Sequence, residues 1–355
     1  LIPTVALGGP HLAGKSTLFE ALVNGQKQAV KGYALYSTGF ANVHDQRLIE
    51  LANIVQPEKT TPCTLKILDP ISPSESYDYR RTFASLREAD LVAIVLRAFT
   101  HAYMQDSDPS LLSQYNNLLQ DIIREDLATV EKRISGVEKE VRLGKKDKKA
   151  ELEVLSLVKA QLDMQLPVRN MQLESNEKAI VNSLFLLTAK PWVVIVNFGE
   201  TLHADMETDI KELSQLLSEA SVQVETVNAK LEKELLELDP IEQAEFRKAY
   251  KTFLASDINK LTRFLITACG VTIFYTAGKK EVRAWCVPTG TRAVDAAGEI
   301  HSSFSQHFIK AEVCTFEDFL NYGSFEAARE NGRCKLEGKD YVIQDGDIVY
   351  FRVNA

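Results

Sequence analysis

The chain has 355 residues, 45% of them apolar, with 49 acidic against 41 basic side chains for a net charge of −8. That length accommodates two or three domains with real cores, and the acidic balance excludes a surface coated for nucleic acid while leaving room for local basic patches. No apolar run reaches the length of a membrane span, and no signal-peptide pattern opens the chain. The five cysteines (Cys63, Cys269, Cys286, Cys314 and Cys334) lack C-x-x-C or paired spacing, and the six histidines form no ligand pattern. Free thiols in a reducing cytoplasm are the expectation, with no structural metal.

Residues 4–7 form a short apolar run suited to a buried strand, its start set by Pro3. Gly9-Pro10-His11-Leu12-Ala13-Gly14-Lys15-Ser16 then reads G-x-x-x-x-G-K-S, the phosphate-binding loop. Its glycines let successive backbone N–H groups turn inward around phosphate oxygens. Lys15 is placed to reach the β- and γ-phosphates, and the Ser16 hydroxyl to meet Mg²⁺. Beyond Thr17, Leu18, Ala21 and Leu22 follow at helical spacing, so the loop opens a helix whose dipole favours a bound anion.

Residues 31–39 are polar and aperiodic, the place of a first switch loop in such a fold. Residues 47–55 read as a short amphipathic helix closed by Pro57. Residues 63–69 alternate and end in Asp69. A carboxylate at the C-terminal end of the strand beside the loop strand is where a magnesium-binding residue belongs, although a plain turn Asp has the same appearance. Residues 91–96 are apolar on both faces, as in a central parallel strand.

From residue 117 the pattern changes. Ile123, Leu127, Val130, Ile134, Val137 and Val141 step by fours and threes, break at Gly144, and resume with Leu152, Leu155, Val158 and Leu162. This predicts an antiparallel helical hairpin, each arm on the order of 30 Å long. Its tip carries Lys145, Lys146, Lys148 and Lys149, either a nucleic-acid contact or an ordinary solvated turn. Residues 192–198 return to a buried strand, 206–220 to a helix, and 222–227 to a strand ending at Asn228-Ala229-Lys230. Strands alternating with helices predict an α/β parallel sheet, which places Lys15, Asp69, Asn197 and Asn228 at the carboxyl ends where ligands bind. In the last 85 residues, 281–287 alternate, 293–304 read as one helix, and 339–351 as two strands around an Asp-Gly turn. This is a small α+β module without a catalytic constellation.

The motifs together resemble the Obg-like ATPases, the YchF subfamily of P-loop NTPases. Carrying the resemblance are F-Y-T-A-G at 274–278, E-V-R-A-W at 281–285, F-I-K-A-E-V at 308–313, L-E-G-K-D-Y at 336–341 and D-G-D at 345–347. L-T-A-K-P at 187–191, Ala229-Lys230, and D-L-A-T-V-E-K-R at 126–133 in the helical insert add to it. The resemblance implies a nucleotide-binding domain over 1–104 and 170–270, a coiled-coil insert over 105–169, and a ubiquitin-like β-grasp (TGS) domain over 271–355. It puts Ser37 at the family's metal-binding position, with Thr38 competing. It also matches Asn197-Phe198-Gly199-Glu200 to the N-x-x-E base-reading stretch, Asn197 at the base edge and Phe198 packing nearby.

Two departures stand out. The loop reads Gly-Gly-Pro-His-Leu-Ala-Gly where the family has Asn and Val, and Asp69-Pro70-Ile71-Ser72-Pro73 replaces a D-x-A-G switch and its glycine-rich run. What the family implies is a monomeric cytoplasmic ATPase using Mg²⁺, slowed here by its altered switch. It would work with ribosomes or RNA through the helical tip and the TGS groove. A non-hydrolysing nucleotide-binding scaffold and a GTPase are the alternatives.

Overall fold

The structure, a computed structural model, describes residues 1–25, 27–28, 36–70, 79–99, 109–145, 147–199, 204–249 and 257–354. The first strands are β1 (Thr4–Gly8), β2 (Lys27–Gln28), β3 (Tyr36–Asn42), β4 (Lys59–Thr61) and β5 (Thr64–Pro70). Next come β6 (Leu91–Ala98), β7 (Trp192–Phe198) and β8 (Gln223–Val227), then β9 (Val271–Ala277), β10 (Glu281–Pro288), β11 (Phe308–Cys314), β12 (Lys335–Glu337) and β13 (Ile348–Val353). They form a seven-stranded sheet of order β2-β3-β5-β1-β6-β7-β8 and a six-stranded sheet of order β12-β11-β13-β9-β10-β4.

In the first sheet β1, β6, β7 and β8 pair in parallel, with β6 and β7 buried along their whole length. Side chains alternate across a strand. Trp192, Val194, Val196 and Phe198 therefore join Val92, Ile94 and Leu96 in one core with Phe83 and Leu86 and with Leu213 and Leu217. The intervening Asn197 is turned to the opposite face, as its partners described below show. Helix α1 (Lys15–Val23) follows β1. Helix α2 (Gln46–Val55) sits between β3 and β4, and α3 (Tyr79–Glu88), carrying Phe83 and Leu86, precedes β6.

The expected hairpin is present, with unequal arms. Helix α4 (Leu111–Arg142) has 32 residues, about 48 Å at 1.5 Å per residue, and α5 (Lys148–Asp163) has 16, about 24 Å. The longer arm serves two cores. Leu111, Tyr115, Leu118 and Ile122 pack against the sheet, whereas Ile123, Val130 and Val137 pair with Leu155, Val158 and Leu162 of α5. Gly144, at φ +93°, makes the turn between the arms. Helix α6 (Ser175–Asn182) adds Val181 and Ile180 to the hairpin core. Helices α7 (Ala204–Glu219), with Leu213 and Leu217, α8 (Ala229–Leu235) and α9 (Pro240–Ala249) complete this part.

Contacts divide the chain into two compact units, Thr4–Gly39 with Ile67–Ile258, and Leu1–Pro3 with Phe40–Lys66 and Asn259–Ala355. The family resemblance places 40–66 and 259–270 with the nucleotide-binding domain. Instead β4 pairs in parallel with β10, Lys59 opposite Glu281, and Arg47 of α2 is ion-paired to Asp345 at 2.6 Å. Helix α10 (Ile258–Ala268) is in the same unit, Thr262 accepting from the His44 N–H at 3.5 Å. In this unit β9 and β13 run parallel, flanked by β10 and β11, the order of a β-grasp. Helix α11 (Ala293–Ile300) lays Ala293, Ala296 and Ala297 on Phe274, Val287 and Phe351, small residues that allow close approach.

Two local expectations differ here. The helix expected over 293–304 breaks at His301, whose extended backbone and ring Nδ1 cap a second helix, Ser302–Gln306. Asp345-Gly346 does not join two hairpin strands. Asp347 accepts from the Tyr341 hydroxyl at 2.8 Å and the Gln344 N–H at 2.9 Å, which curls 341–347 into a loop with one bridge, Val342 to Arg292.

Candidate nucleotide site

The loop after β1 is built by its glycines. Gly9 has φ +135°, and a Cβ there would stand 2.2 Å from the Val95 carbonyl oxygen, so the loop passes directly against β6. Gly14, at φ +83°, precedes α1 as its N-cap and supplies no side-chain cap. Leu12, also left-handed at φ +59°, reverses the chain between them. The first N–H groups of α1 lack intrahelical acceptors, and the first turn carries no acidic residue, an arrangement suited to an anion. Ala13 is buried, Pro10 half-buried, and His11 and Leu12 exposed at the crest of the loop.

Lys15 is 8% exposed, and its Nζ donates to the Gly9 carbonyl at 3.1 Å and the Pro10 carbonyl at 2.6 Å. Burial lowers its ammonium pKa to about 8, and the attraction of the Asp69 carboxylate offsets part of that fall. Asp69 is buried at the end of β5, and Ser16 is exposed at the start of α1 with Thr17 half-buried behind it. A hydroxyl and a carboxylate are hard oxygen donors that suit Mg²⁺. Among the described residues no three His, Cys, Asp or Glu side chains come together as a preformed metal cluster. Ser37 and Thr38 are half-buried within β3 rather than in a loop. Residues 31–35 of the expected switch, residues 71–78 after Asp69, and Glu200 lie outside the described residues.

At the other end of the loop Asn197 acts as a brace. It is 3% exposed. Its Nδ2 donates to the Ala13 carbonyl at 3.0 Å, and its Oδ1 accepts the Ala229 N–H at 3.0 Å. Gly14 has to be glycine for the same reason, since a Cβ would lie 2.2 Å from that amide nitrogen. Asn228 caps α8, accepting from the Leu231 N–H at 3.0 Å and donating to the Gly199 carbonyl at 2.6 Å. Lys230 is exposed, 3.9 Å from Glu234. Phe198 does not face this corner with its side chain, which is 3% exposed in the core on the other face of β7. Only its backbone remains on the site side.

Two residues to which the sequence pattern assigns no role lie at the site or support it. Phe99, half-buried after β6, puts its ring 3.9 Å from where a Gly14 Cβ would be, and its Cβ 3.2 Å from that of Gly199. An aromatic side chain thus stands close to Gly14, where Asn197 also reaches the loop. Asp126, fully buried in α4, accepts from the Leu187 N–H at 3.1 Å and from the Thr188 N–H and hydroxyl, both at 2.7 Å. Burial raises its pKa against the lowering effect of those three donors, and the carboxylate pins the insert to the segment that leads into β7. At the hairpin tip Lys145 is ion-paired with Glu140 at 3.0 Å and Lys148 with Glu151 at 2.7 Å. Lys149 is exposed, and Lys146 lies outside the described residues.

Comparison with known proteins agrees with this geometry. A family model, YchF-GTPase_C, described as a protein of unknown function (DUF933), matches residues 271–354. The chain is 32% identical over 367 residues to the ribosome-binding ATPase YchF of Bacillus subtilis, covering 99% of both chains. It is 32% identical over 363 residues to the Escherichia coli O157:H7 protein of the same name, covering 98% of both. The YchF GTPase structure from Schizosaccharomyces pombe superposes with a TM-score of 0.84 at 26% identity, over 99% of this chain and 97% of that one. With the phosphate loop, the helical insert and the C-terminal module all in place, the chain belongs to the YchF family of Obg-like P-loop NTPases.

Proposed function

We propose that the protein binds ATP with Mg²⁺ and hydrolyses it slowly, as a monomeric cytoplasmic factor that associates with ribosomes. The observation that carries the nucleotide reading is the loop of Gly9 to Lys15 wrapped against β6, with an uncapped helix N-terminus and Lys15 turned inward. The phosphates take the place of the Gly9 and Pro10 carbonyls as partners of Lys15. Ser16 and Asp69 hold the metal, with Ser37 as the third donor that the family resemblance supplies. Mg²⁺, when bound, neutralises charge on the β- and γ-phosphates.

The base lies in the corner of Asn197, Phe99 and the Gly199 backbone. Asn197 keeps one amide hydrogen for it, and Phe99, close to Gly14 and Gly199, is the aromatic side chain on which the base stacks in this reading. Guanine readers use N-K-x-D, in which a lysine covers the base; here Phe198 stands at that position with its side chain buried in the core, which favours adenine over guanine. The relatives are named as ATPases and as a GTPase, so the base is the point to test.

Calorimetric titration of ATP and GTP with Mg²⁺ tests the reading. ATP binding at least about tenfold tighter is expected, and the reverse order refutes it. Ribosome association is the reading drawn from the relatives' names and the basic tip. Co-sedimentation that is indifferent to neutralising Lys145, Lys146, Lys148 and Lys149 removes the tip from it.

A further inference from the structure

Four of the five cysteines meet in pairs within the unit that holds the C-terminal sheet, Cys63 with Cys286 and Cys314 with Cys334. Cys314 ends β11, and Cys334 stands immediately before β12. These strands are antiparallel, with Ala311 opposite Glu337, Glu312 opposite Leu336 and Val313 opposite Lys335. The same register carried one residue further sets Cys314 directly opposite Cys334. Opposed residues of such a ladder have Cα atoms about 4.5–5.5 Å apart, within the roughly 4.4–6.8 Å that a disulfide spans.

The side chains follow the register. The Cys314 thiol donates to the Cys334 sulfur, and the Cys334 thiol donates to the Phe325 carbonyl at 3.7 Å. The two sulfurs differ in access, since Cys314 is fully buried and Cys334 only half-buried. Burial, reinforced by the neighbouring Cys334, pushes the Cys314 thiol up to about 12. Burial raises Cys334 as well, but the hydrogen bond from Cys314 and the positive charge of Arg329 oppose that rise. Cys334 is therefore the sulfur that ionises first and the one that a reagent reaches. Cys63 and Cys286 are both buried, which leaves neither open to attack.

We infer that Cys314 and Cys334 are a redox-active dithiol, closed to a disulfide by exchange with a small disulfide of the glutathione class. The Cys334 thiolate attacks one sulfur of glutathione disulfide, forming a mixed disulfide and releasing one glutathione. The Cys314 sulfur gives up its proton and attacks the Cys334 sulfur, which breaks the mixed disulfide and releases the second glutathione. The dithiol loses two electrons and two protons, and the two released glutathione thiols carry them away. The bridge closes a loop over 315–333 that contains the helices Phe316–Tyr322 and Phe325–Glu330. It fastens them at the edge of the sheet, where β12 is held to β11 by a ladder three residues long. The phosphate loop and Asn197 belong to the other unit, so this chemistry is independent of nucleotide binding.

The test is to equilibrate the reduced protein with excess glutathione disulfide, alkylate the remaining thiols in denaturant with N-ethylmaleimide, and digest without reductant. Peptide mass mapping should show Cys314 cross-linked to Cys334, with Cys63 and Cys286 recovered as alkylated thiols. Cys314→Ser should stop at the mixed disulfide of Cys334 with glutathione, and Cys334→Ser should leave Cys314 a free thiol. A native near-ultraviolet circular dichroism spectrum checks that each variant is folded, and the map of the native chain decides the question without them. Amide hydrogen exchange over 315–333 should slow about tenfold or more in the oxidised protein. Cys314 and Cys334 both recovered alkylated from the native chain, a Cys63–Cys286 cross-link forming ahead of theirs, or folded Cys314→Ser without glutathione on Cys334 would each overturn the assignment. Unchanged exchange over 315–333 would overturn the fastening of that segment.

Discussion

Asn197 and Ala13 are joined across 184 residues by a 3.0 Å hydrogen bond from the side-chain amide to the loop carbonyl. Through its other atom, Oδ1, the same side chain holds the N–H of Ala229 at the start of α8. One buried residue on β7 therefore fixes both the phosphate loop and the neighbouring strand-to-helix turn.

Replacing Asn197 by Ala leaves a buried carbonyl and a buried N–H without their partner. Each costs about 1–3 kcal/mol, so a stability loss of about 2–6 kcal/mol is expected, with ATP affinity falling alongside. Urea unfolding and calorimetry on the variant check this. A loss below about 0.5 kcal/mol would show that the brace carries little.

Lys15 gives a pH signature. Its pKa in the folded protein is lowered by burial to about 8, against 10.5 for the unperturbed side chain. Between those values the unfolded chain binds the proton that the folded chain has lost. This group's contribution to stability therefore rises with pH from about 8 to 10.5. Phosphate next to the ammonium raises the pKa again, so ATP binding should take up a proton at pH 8.5–9. Titrations in two buffers of different ionisation heat measure that uptake, and equal heats would contradict it.

Asp126 anchors the insert. Asp126→Ala removes the acceptor of three buried donors and should cost about 3–5 kcal/mol. The raised pKa means that the folded chain holds this proton more tightly than the unfolded one. The contribution of Asp126 to stability is accordingly largest at acid pH and falls as pH climbs from the unperturbed carboxylate value through the raised folded one. A chemical denaturation series over pH, native against Asp126→Asn, reads this slope. A native curve no steeper than the variant's would remove Asp126 as its source.

The phosphate loop, the parallel sheet and the hairpin seam were legible because each is a local pattern: a fixed glycine spacing, an apolar run, a step of threes and fours. Asp126 was not, since a lone acid in a charged helix looks solvated. The available signal was its place on the apolar stripe, between Ile123 and Val130. Phe99 was an isolated aromatic after a strand, and only the fold puts it beside Gly14. Segment 40–66 joins the C-terminal unit through Arg47–Asp345, His44–Thr262 and a strand, Lys59-Thr60-Thr61, too short to give a periodic strand signal. Its partner is more than 200 residues away.

Phe99→Ala should weaken ATP binding by about 1–3 kcal/mol, the range of a base stacked on an aromatic ring, and leave the binding of inorganic triphosphate unchanged. Equal losses for both ligands would move Phe99 from base contact to loop support.

The most direct test of the account is single-turnover hydrolysis of ATP and of GTP with Mg²⁺, native chain against Lys15→Ala. The account predicts slow turnover of ATP by the native chain, less of GTP, and neither by the variant, whose loop has lost its charge-assisted phosphate contact. Turnover of GTP ahead of ATP, or a Lys15→Ala rate equal to the native one, would contradict it.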